Sequence, residues 1–321
     1  MPDNWNLNLF VSASSHIHSR ETVPKVMWAV FLALIPAGAA AVIIFGPAAL
    51  KVTLISVLSC IITEALIQKL TRKKITISDG SAALTGLLLA YNLSSRVPFW
   101  IPVIGGIFAV AIAKHTFGGL GANIFNPALA ARAFLLVSWP KHMTEFLKPF
   151  SADAVTTATP LAMLKEGMAK NLSAAGLSYW DLFLGRRAGC LGEVCIIALL
   201  IGAAYLLWKQ YIWWHTPAGF ILTLASLSWI FGTQGLFKGD FIFSILSGGL
   251  ILGAFFMATD YVTTPITKKG QLVFGIGCGI LTFVIRRFGG YPEGVSYSIL
   301  MMNAAVPLID RYIRPRRYGT R

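Results

Sequence analysis

Apolar stretches follow one another along nearly the whole chain, separated by short polar breaks. A bilayer span needs roughly 20 apolar residues. Ten such segments are read near 24–46, 48–70, 81–94, 98–116, 122–139, 189–208, 216–233, 241–259, 271–287 and 294–312. The breaks are clear at Gly46-Pro47, Arg72-Lys73-Lys74, Arg96 to Pro98, Lys209 to His215, Lys238-Gly239-Asp240 and Lys268-Lys269. A soluble globule is excluded, because only 12% of the 321 residues are Asp, Glu, Lys or Arg, against roughly a quarter in an ordinary domain. A disordered chain is excluded by the 56% hydrophobic content. The expected fold class is an all-α polytopic membrane protein with ten transmembrane helices. The polar stretch Met1 to Thr22 carries no cleavable-signal pattern.

Cys60, Cys190, Cys195 and Cys278 lie in apolar stretches without a CxxC or Cys/His cluster. They read as buried small hydrophobes, and no metal site is expected in the chain.

Charge sets the expected orientation. An even number of spans puts both termini on one side. With the termini cytoplasmic, 15 Lys/Arg fall inside and five in short outer loops (Lys51, Arg96, Lys238, Arg286, Arg287). The positive-inside rule therefore places the termini in the cytoplasm and the long loop 140–188 outside. The net charge of +14 is then mostly a topology signal. A nucleic-acid role explains it less well, because the basic residues are scattered over turns.

Two stretches share spacing. Gly86 to Pro98 and Gly253 to Pro265 each hold Gly and Pro twelve residues apart around an apolar run that turns polar. Phe117-Gly118-Gly119 is echoed by Phe288-Gly289-Gly290, and the two offsets are 167 and 171. Each half would hold five spans, so the second copy enters the membrane upside down, as an inverted repeat. Expected domains are 1–139, the extracytoplasmic loop 140–188, and 189–321. The third and eighth spans are short or interrupted, by Ser78-Asp79-Gly80-Ser81 and by Ser247-Gly248-Gly249. Such breaks at matching positions point to a midplane site, or to close helix packing by small residues.

In the loop, Thr159 precedes Pro160 and a run of helical character from Leu161 to Lys170. Thr is a good N-cap and Pro is favoured at the first helical position. From this geometry alone, an ordinary Thr-Pro cap is the simpler reading. Yet Asp153-x-x-Thr156-x-Ala158-Thr159 looks like the acceptor motif of flavin transferases, with Thr157 where many such motifs have Gly. The wider chain resembles the NqrB/RnfD family of membrane flavoprotein subunits. The resemblance rests on Ser15 to His18, Ser78 to Gly86, Gly121 to Leu129, Asp153 to Leu161 and Met257 to Asp260. Its length and N-terminus suit the RnfD branch.

The resemblance implies ten helices in two inverted five-helix halves. It implies covalent FMN on Thr159 through a phosphodiester, and family members can hold a second, non-covalent riboflavin. It also implies an ion-translocating oxidoreductase in a bacterial or archaeal cytoplasmic membrane, coupling electron transfer between ferredoxin and NAD to Na⁺ or H⁺ movement. Expected partners are the other subunits of an Rnf complex, among them iron–sulfur, second flavin-bearing and NAD-binding subunits, with a flavin transferase for maturation. The chain has no NAD fingerprint and no iron–sulfur ligands, so no catalytic residue is assigned and it cannot complete the reaction alone. The alternatives are the NqrB subunit of a sodium-pumping NADH:quinone oxidoreductase, or a small-solute channel of similar architecture.

Three acidic residues near the polar breaks are candidates for an ion pathway, because ionisable groups at membrane depth are costly and often functional. They are Glu64, Asp79 and Asp260. Their plainer readings are a partner of Lys69, a helix cap and a loop-edge charge. Asn123, Asn126 and Arg132 are polar residues at or within the fifth span. Arg132 needs a partner, and interhelical bonding is the simpler source. Lys114 and His115 read as a turn near the cytoplasmic face.

Overall fold

The structure, a computed structural model, describes residues 21–147, 149–150, 156–166, 168, 176–232 and 235–314. Asp153 and residues 15–18 lie outside these, and Thr156 is described by its backbone alone.

Fourteen α-helices are described, and they fall on the apolar stretches and the long loop. They are α1 (Val23–Phe45), α2 (Pro47–Leu70), α3 (Ser81–Tyr91), α4 (Trp100–Ile107), α5 (Pro127–Ser138), α6 (Pro140–Thr144) and α7 (Pro160–Lys165). There follow α8 (Tyr179–Leu184), α9 (Ile196–Trp208), α10 (His215–Ile230), α11 (Phe241–Leu246), α12 (Leu250–Leu252), α13 (Lys268–Phe288) and α14 (Val295–Tyr312). Helix α4 runs on as a π-helix, Phe108–His115, and α12 as another, Gly253–Met257. Two short hairpins pair β1 (Phe146–Leu147) with β2 (Thr156–Thr157), and β3 (Phe231–Gly232) with β4 (Gly235–Leu236). Among the described residues, α1, α2 and α13 are long and apolar enough to cross a membrane by length and composition.

Helix α2 shows the solvent its outer face expects. Leu50, Leu54, Leu58, Ile62 and Leu66 form an exposed apolar stripe at four-residue spacing. Its inward face carries Ser56, Ser59, Thr63, Glu64 and Gln68, all buried. In water this arrangement would be inverted; against lipid it is the stable one, since polar groups must be satisfied within the protein. Ser56 Oγ donates to the Gly86 carbonyl at 2.8 Å and Ser59 Oγ to that of Val103 at 3.0 Å, joining α2 to α3 and α4.

Packing pairs α1 with α9, α2 with α3 and α4, α10 with α13, and α5 with α14. Small residues set the closest approaches. A Cβ on Gly202 of α9 would lie 2.1 Å from the Ala33 carbonyl oxygen of α1, and one on Gly275 of α13 would lie 2.5 Å from the Thr216 oxygen of α10. One continuous core spans both halves.

Three expected segments change shape. The third helix stops at Tyr91 rather than residue 94. The eighth is broken: α11 ends at Leu246 and α12 starts at Leu250, with Gly248 and Gly249 at φ +66° and +67° between them. The sixth is helical only from Ile196, and residues 189–195 are irregular although mostly buried. The physical reason is a close pairing with the end of α3. Leu191 and Gly192 donate N–H groups to the carbonyls of Leu93 and Tyr91 at 2.9 and 3.0 Å, and a Cβ on Gly192 would lie 2.2 Å from Tyr91 Cβ. Irregular backbone at this depth is tolerated because it supplies bonds that the helix end lacks.

The described parts of the 140–188 loop sit on one face of the bundle. Phe150 N–H donates to the Ile44 carbonyl at the end of α1, and Lys165 Nζ donates to the carbonyls of Gly289 and Tyr291 beyond α13. On the opposite face, Tyr211 OH donates to Glu21 at 2.9 Å and Trp28 Nε1 to the Ser78 carbonyl at 3.2 Å.

Candidate functional site

On the loop face, Thr159 has extended backbone and is 5% exposed. Its Oγ1 accepts the Ala162 N–H at 3.3 Å, and Pro160 opens α7. The hydroxyl thus serves as an N-cap. β2 delivers the chain to Ala158 and Thr159 by pairing Thr156 and Thr157 with Leu147 and Phe146. Helix α7 is held by Leu161 and Leu164, which pack against Leu182 and Phe243.

On the opposite face, two of the acidic candidates are linked through Lys114 and Ser81. Glu64 does not pair with Lys69, which is exposed. Its two carboxylate oxygens each accept from Lys114 Nζ at 2.9 Å, with both side chains 2% exposed. The reason is the π-helical winding of Phe108–His115, which turns Lys114 inward instead of leaving it at a turn. Lys114 Nζ also donates to Ser81 Oγ at 2.8 Å, and Ser81 Oγ donates to Asp79 Oδ1 at 2.7 Å. Asp79 Oδ1 further accepts the Ser81 N–H at 2.8 Å, a cap at the start of α3. Gln68 extends the network, donating to Glu64 at 3.2 Å and to Thr76 Oγ1 at 2.9 Å. His115 Nε2 lies 3.7 Å from Glu64, is buried and has no hydrogen-bond partner.

Asp260 stands apart from this network, beyond the π turn of Gly253–Met257. Its Oδ2 accepts from Thr263 Oγ1 at 3.2 Å. A cleft nevertheless joins the two regions. Ser81 and Lys114 line it from the Glu64 network, Asp260 and Thr259 from the other side, and Asn123 and Asn126 from the start of α5. Asn126 Oδ1 caps α5 through the N–H groups of Ala128 and Leu129.

A third cluster is expected from the sequence only at Arg132, which needs a partner; its acidic members are not. Arg132 is buried in α5 and finds interhelical partners. It donates to Asn92 Oδ1 at 2.7 Å and to Glu293, and Cys190 Sγ lies 3.7 Å away. Cys190 Sγ and carboxylate oxygens of Glu193 and Glu293 all lie within 4.8 Å of one another, and Arg132 already supplies a cation to them. Arg187 and Arg286 interact electrostatically with both glutamates. A signal for it exists: Glu193 falls inside an expected span, where an ionisable group marks function by default. Glu293, Arg187 and Arg286 lie at span edges, where charges are ordinary.

The model of the NQR2, RnfD, RnfE family matches residues 10–319. The chain is 51% identical over 315 residues to the D component of the Na⁺-translocating ferredoxin:NAD⁺ oxidoreductase complex of Acetobacterium woodii, covering 98% of this chain and 96% of that protein. It is 50% identical over 322 residues to the D component of the proton-translocating ferredoxin:NAD⁺ oxidoreductase complex of Clostridium ljungdahlii, covering 98% and 97%. The D component of an ion-translocating oxidoreductase complex of Escherichia coli is 37% identical over 348 residues, covering 97% and 98%.

Proposed function

The chain belongs to the NQR2, RnfD, RnfE family, and we propose that it is a membrane subunit of an ion-translocating ferredoxin:NAD⁺ oxidoreductase. The observation that carries this is the identity of 51% and 50%, over 98% of the chain, to subunits so named. It works among other subunits, because it holds no NAD fingerprint and no iron–sulfur ligand set of its own. The quinone-reducing and channel alternatives lose to these named relatives.

The cofactor proposed is FMN bound covalently to Thr159. Supporting it are the acceptor motif and the location of that hydroxyl on a loop face rather than in the bundle. Bound, the flavin supplies one- and two-electron transfer; the protein positions it and tunes its field. At 5% exposure Thr159 is out of a transferase's reach, so attachment precedes the docking of α7. Denaturing electrophoresis tests this. The purified chain should give a fluorescent band that disappears in Thr159→Val, and a band that survives sinks the assignment.

The central cleft is the proposed place for a second, non-covalent flavin. Asn123, Asn126 and Thr259 offer amide and hydroxyl groups along its apolar wall. Lys114 and Asp260 line the same space, Glu64 and Asp79 stand behind Lys114 and Ser81, and these four are the proposed ion-handling groups. The proposed architecture is ten spans in two inverted halves, with termini cytoplasmic and the 140–188 loop outside. The pairs α1 with α9 and α5 with α14 support it, since a two-fold exchanging the halves would swap the members of each pair. Replacing Glu64, Asp79 or Asp260 by its amide should lower ion-dependent turnover with flavin content intact. The relatives are named for Na⁺ in one case and protons in the other, so turnover against Na⁺ concentration decides the ion.

A further inference from the structure

A buried arginine, Arg187, and a partly buried one, Arg286, have no carboxylate paired directly with them among the described residues. Arg187 is 3% exposed. One Nη donates to the Glu193 carbonyl oxygen at 2.7 Å, and its Nε has no partner. Arg286 donates through its two Nη to the carbonyls of Ser244 and Ser247 at 2.7 and 3.0 Å, and its Nε is likewise buried without a partner. Among the described residues neither guanidinium has a carboxylate oxygen within 4.0 Å. Arginine does not shed its charge, and an uncompensated buried cation is expensive. The cluster as a whole is also unbalanced. Arg132, Arg187 and Arg286 face Glu193 and Glu293, an excess of one positive charge, and Arg132 takes Glu293 for itself.

Helix α7 lies against this cluster. A Cβ built on Gly248 would lie 2.4 Å from Leu161 Cδ1 and 2.8 Å from an Nη of Arg286, so those two groups flank one glycine. Leu161 is two residues from Thr159. On the other side of the break, a Cβ on Gly249 would lie 2.5 Å from Glu193 Oε2. The site is built by α13, by the irregular segment before α9 and by the interruption between α11 and α12, not by the end of the short helix α7.

We propose that Arg187 and Arg286 form the seat of a phosphate diester, the one that joins the flavin to Thr159. Its single negative charge equals the excess in the cluster. Guanidinium groups match the geometry of phosphate oxygens, and docking the diester would give both orphaned Nε–H groups an acceptor. This rests on the covalent-flavin reading of Thr159. It goes beyond it by naming the residues that hold the linkage.

The test uses the purified complex. A phosphodiesterase is added, and release of flavin from the fluorescent band is timed. The wild-type linkage should resist, whereas Arg187→Gln and Arg286→Gln should keep the band and lose flavin at least roughly tenfold faster, the scale of one charged hydrogen bond. Equal rates in all three overturn the proposal. Where a variant does not assemble, the wild type alone still decides. Its ³¹P signal should be broad, as for an immobilised diester; a narrow, mobile line overturns the seat, and so does an immobilised signal that persists in Thr159→Val, which would be a free or lipid phosphate. A wild-type chain with no fluorescent band fails differently: it removes the covalent-flavin reading itself.

Discussion

The Lys114–Glu64 pair shows how one residue's setting overrides its type. Both side chains are 2% exposed, and the ammonium contacts both carboxylate oxygens and Ser81. Desolvating two charges makes such a pair a poor source of net stability, but removing one partner leaves the other stranded. Lys114→Met should therefore cost about 3–5 kcal/mol in detergent-solubilised thermal unfolding, and a second change, Glu64→Leu, should recover much of it. If the double variant melts no higher than the single one, the pair is not the reason for the loss. On the loop face, Tyr179 OH donates to Asp240 Oδ2 at 2.6 Å. That bond, and then burial, push its phenol up to about 12. Since the folded value lies above the roughly 10 of a free phenol, the stabilisation is whole below that pH and lost as pH rises through 12. Tyrosinate absorbance should show Tyr179→Phe deleting one group that titrates near 12; an unchanged high-pH limb would contradict the bond.

At the scale of elements, glycines decide what can meet. Gly202 lets α9 touch the backbone of α1, with its would-be Cβ 2.1 Å from the Ala33 oxygen. Gly202→Leu should push the two helices apart and cost upwards of about 1–3 kcal/mol, read as a lower melting temperature or loss of assembly on size-exclusion chromatography. A neutral result would mean that the α1–α9 contact is dispensable. Gly248 combines a left-handed φ of +66° with contacts to Leu161 and Arg286. Gly248→Ala should displace α7, read as faster limited proteolysis around Lys165, while the flavin proposed at Thr159 still loads because attachment precedes docking. Unchanged proteolysis in this variant would show that α7 is not positioned by the break.

For the whole molecule, the two faces are distinguishable without a membrane present. Trp208, Trp213 and Trp214 lie around the α9–α10 turn, where Lys268 Nζ sits 4.6 Å from the Trp213 ring. Trp139 and Trp180 lie on the loop face, with Trp100 against Trp139. Aromatic belts at two interfaces are what a spanning protein shows. Impermeant thiol labelling of a cysteine placed at Lys238 or Met168, both exposed, should succeed from outside intact cells. Labelling at Lys209 should need permeabilisation. The reverse pattern would overturn the orientation read from charge.

How much is legible in the sequence follows from the range of each force. Hydrophobic burial is local and additive, so ten apolar stretches, the broken eighth segment and the Thr159 cap can be read from adjacent residues. The acceptor motif is likewise a run of neighbours. The pairing of Glu64 with Lys114 is 50 positions long, and that of Arg132 with Glu293 is 161; no periodicity reports them. The irregular backbone at 189–195 resembles helix because it is apolar, and only its hydrogen bonds to the end of α3 explain why it is not. Sequence alone determined which parts prefer lipid, and it singled out the Thr159 hydroxyl as the one proposed to take a flavin. The tertiary structure decided where the buried charges find partners, because electrostatic satisfaction depends on proximity in space and not on order along the chain.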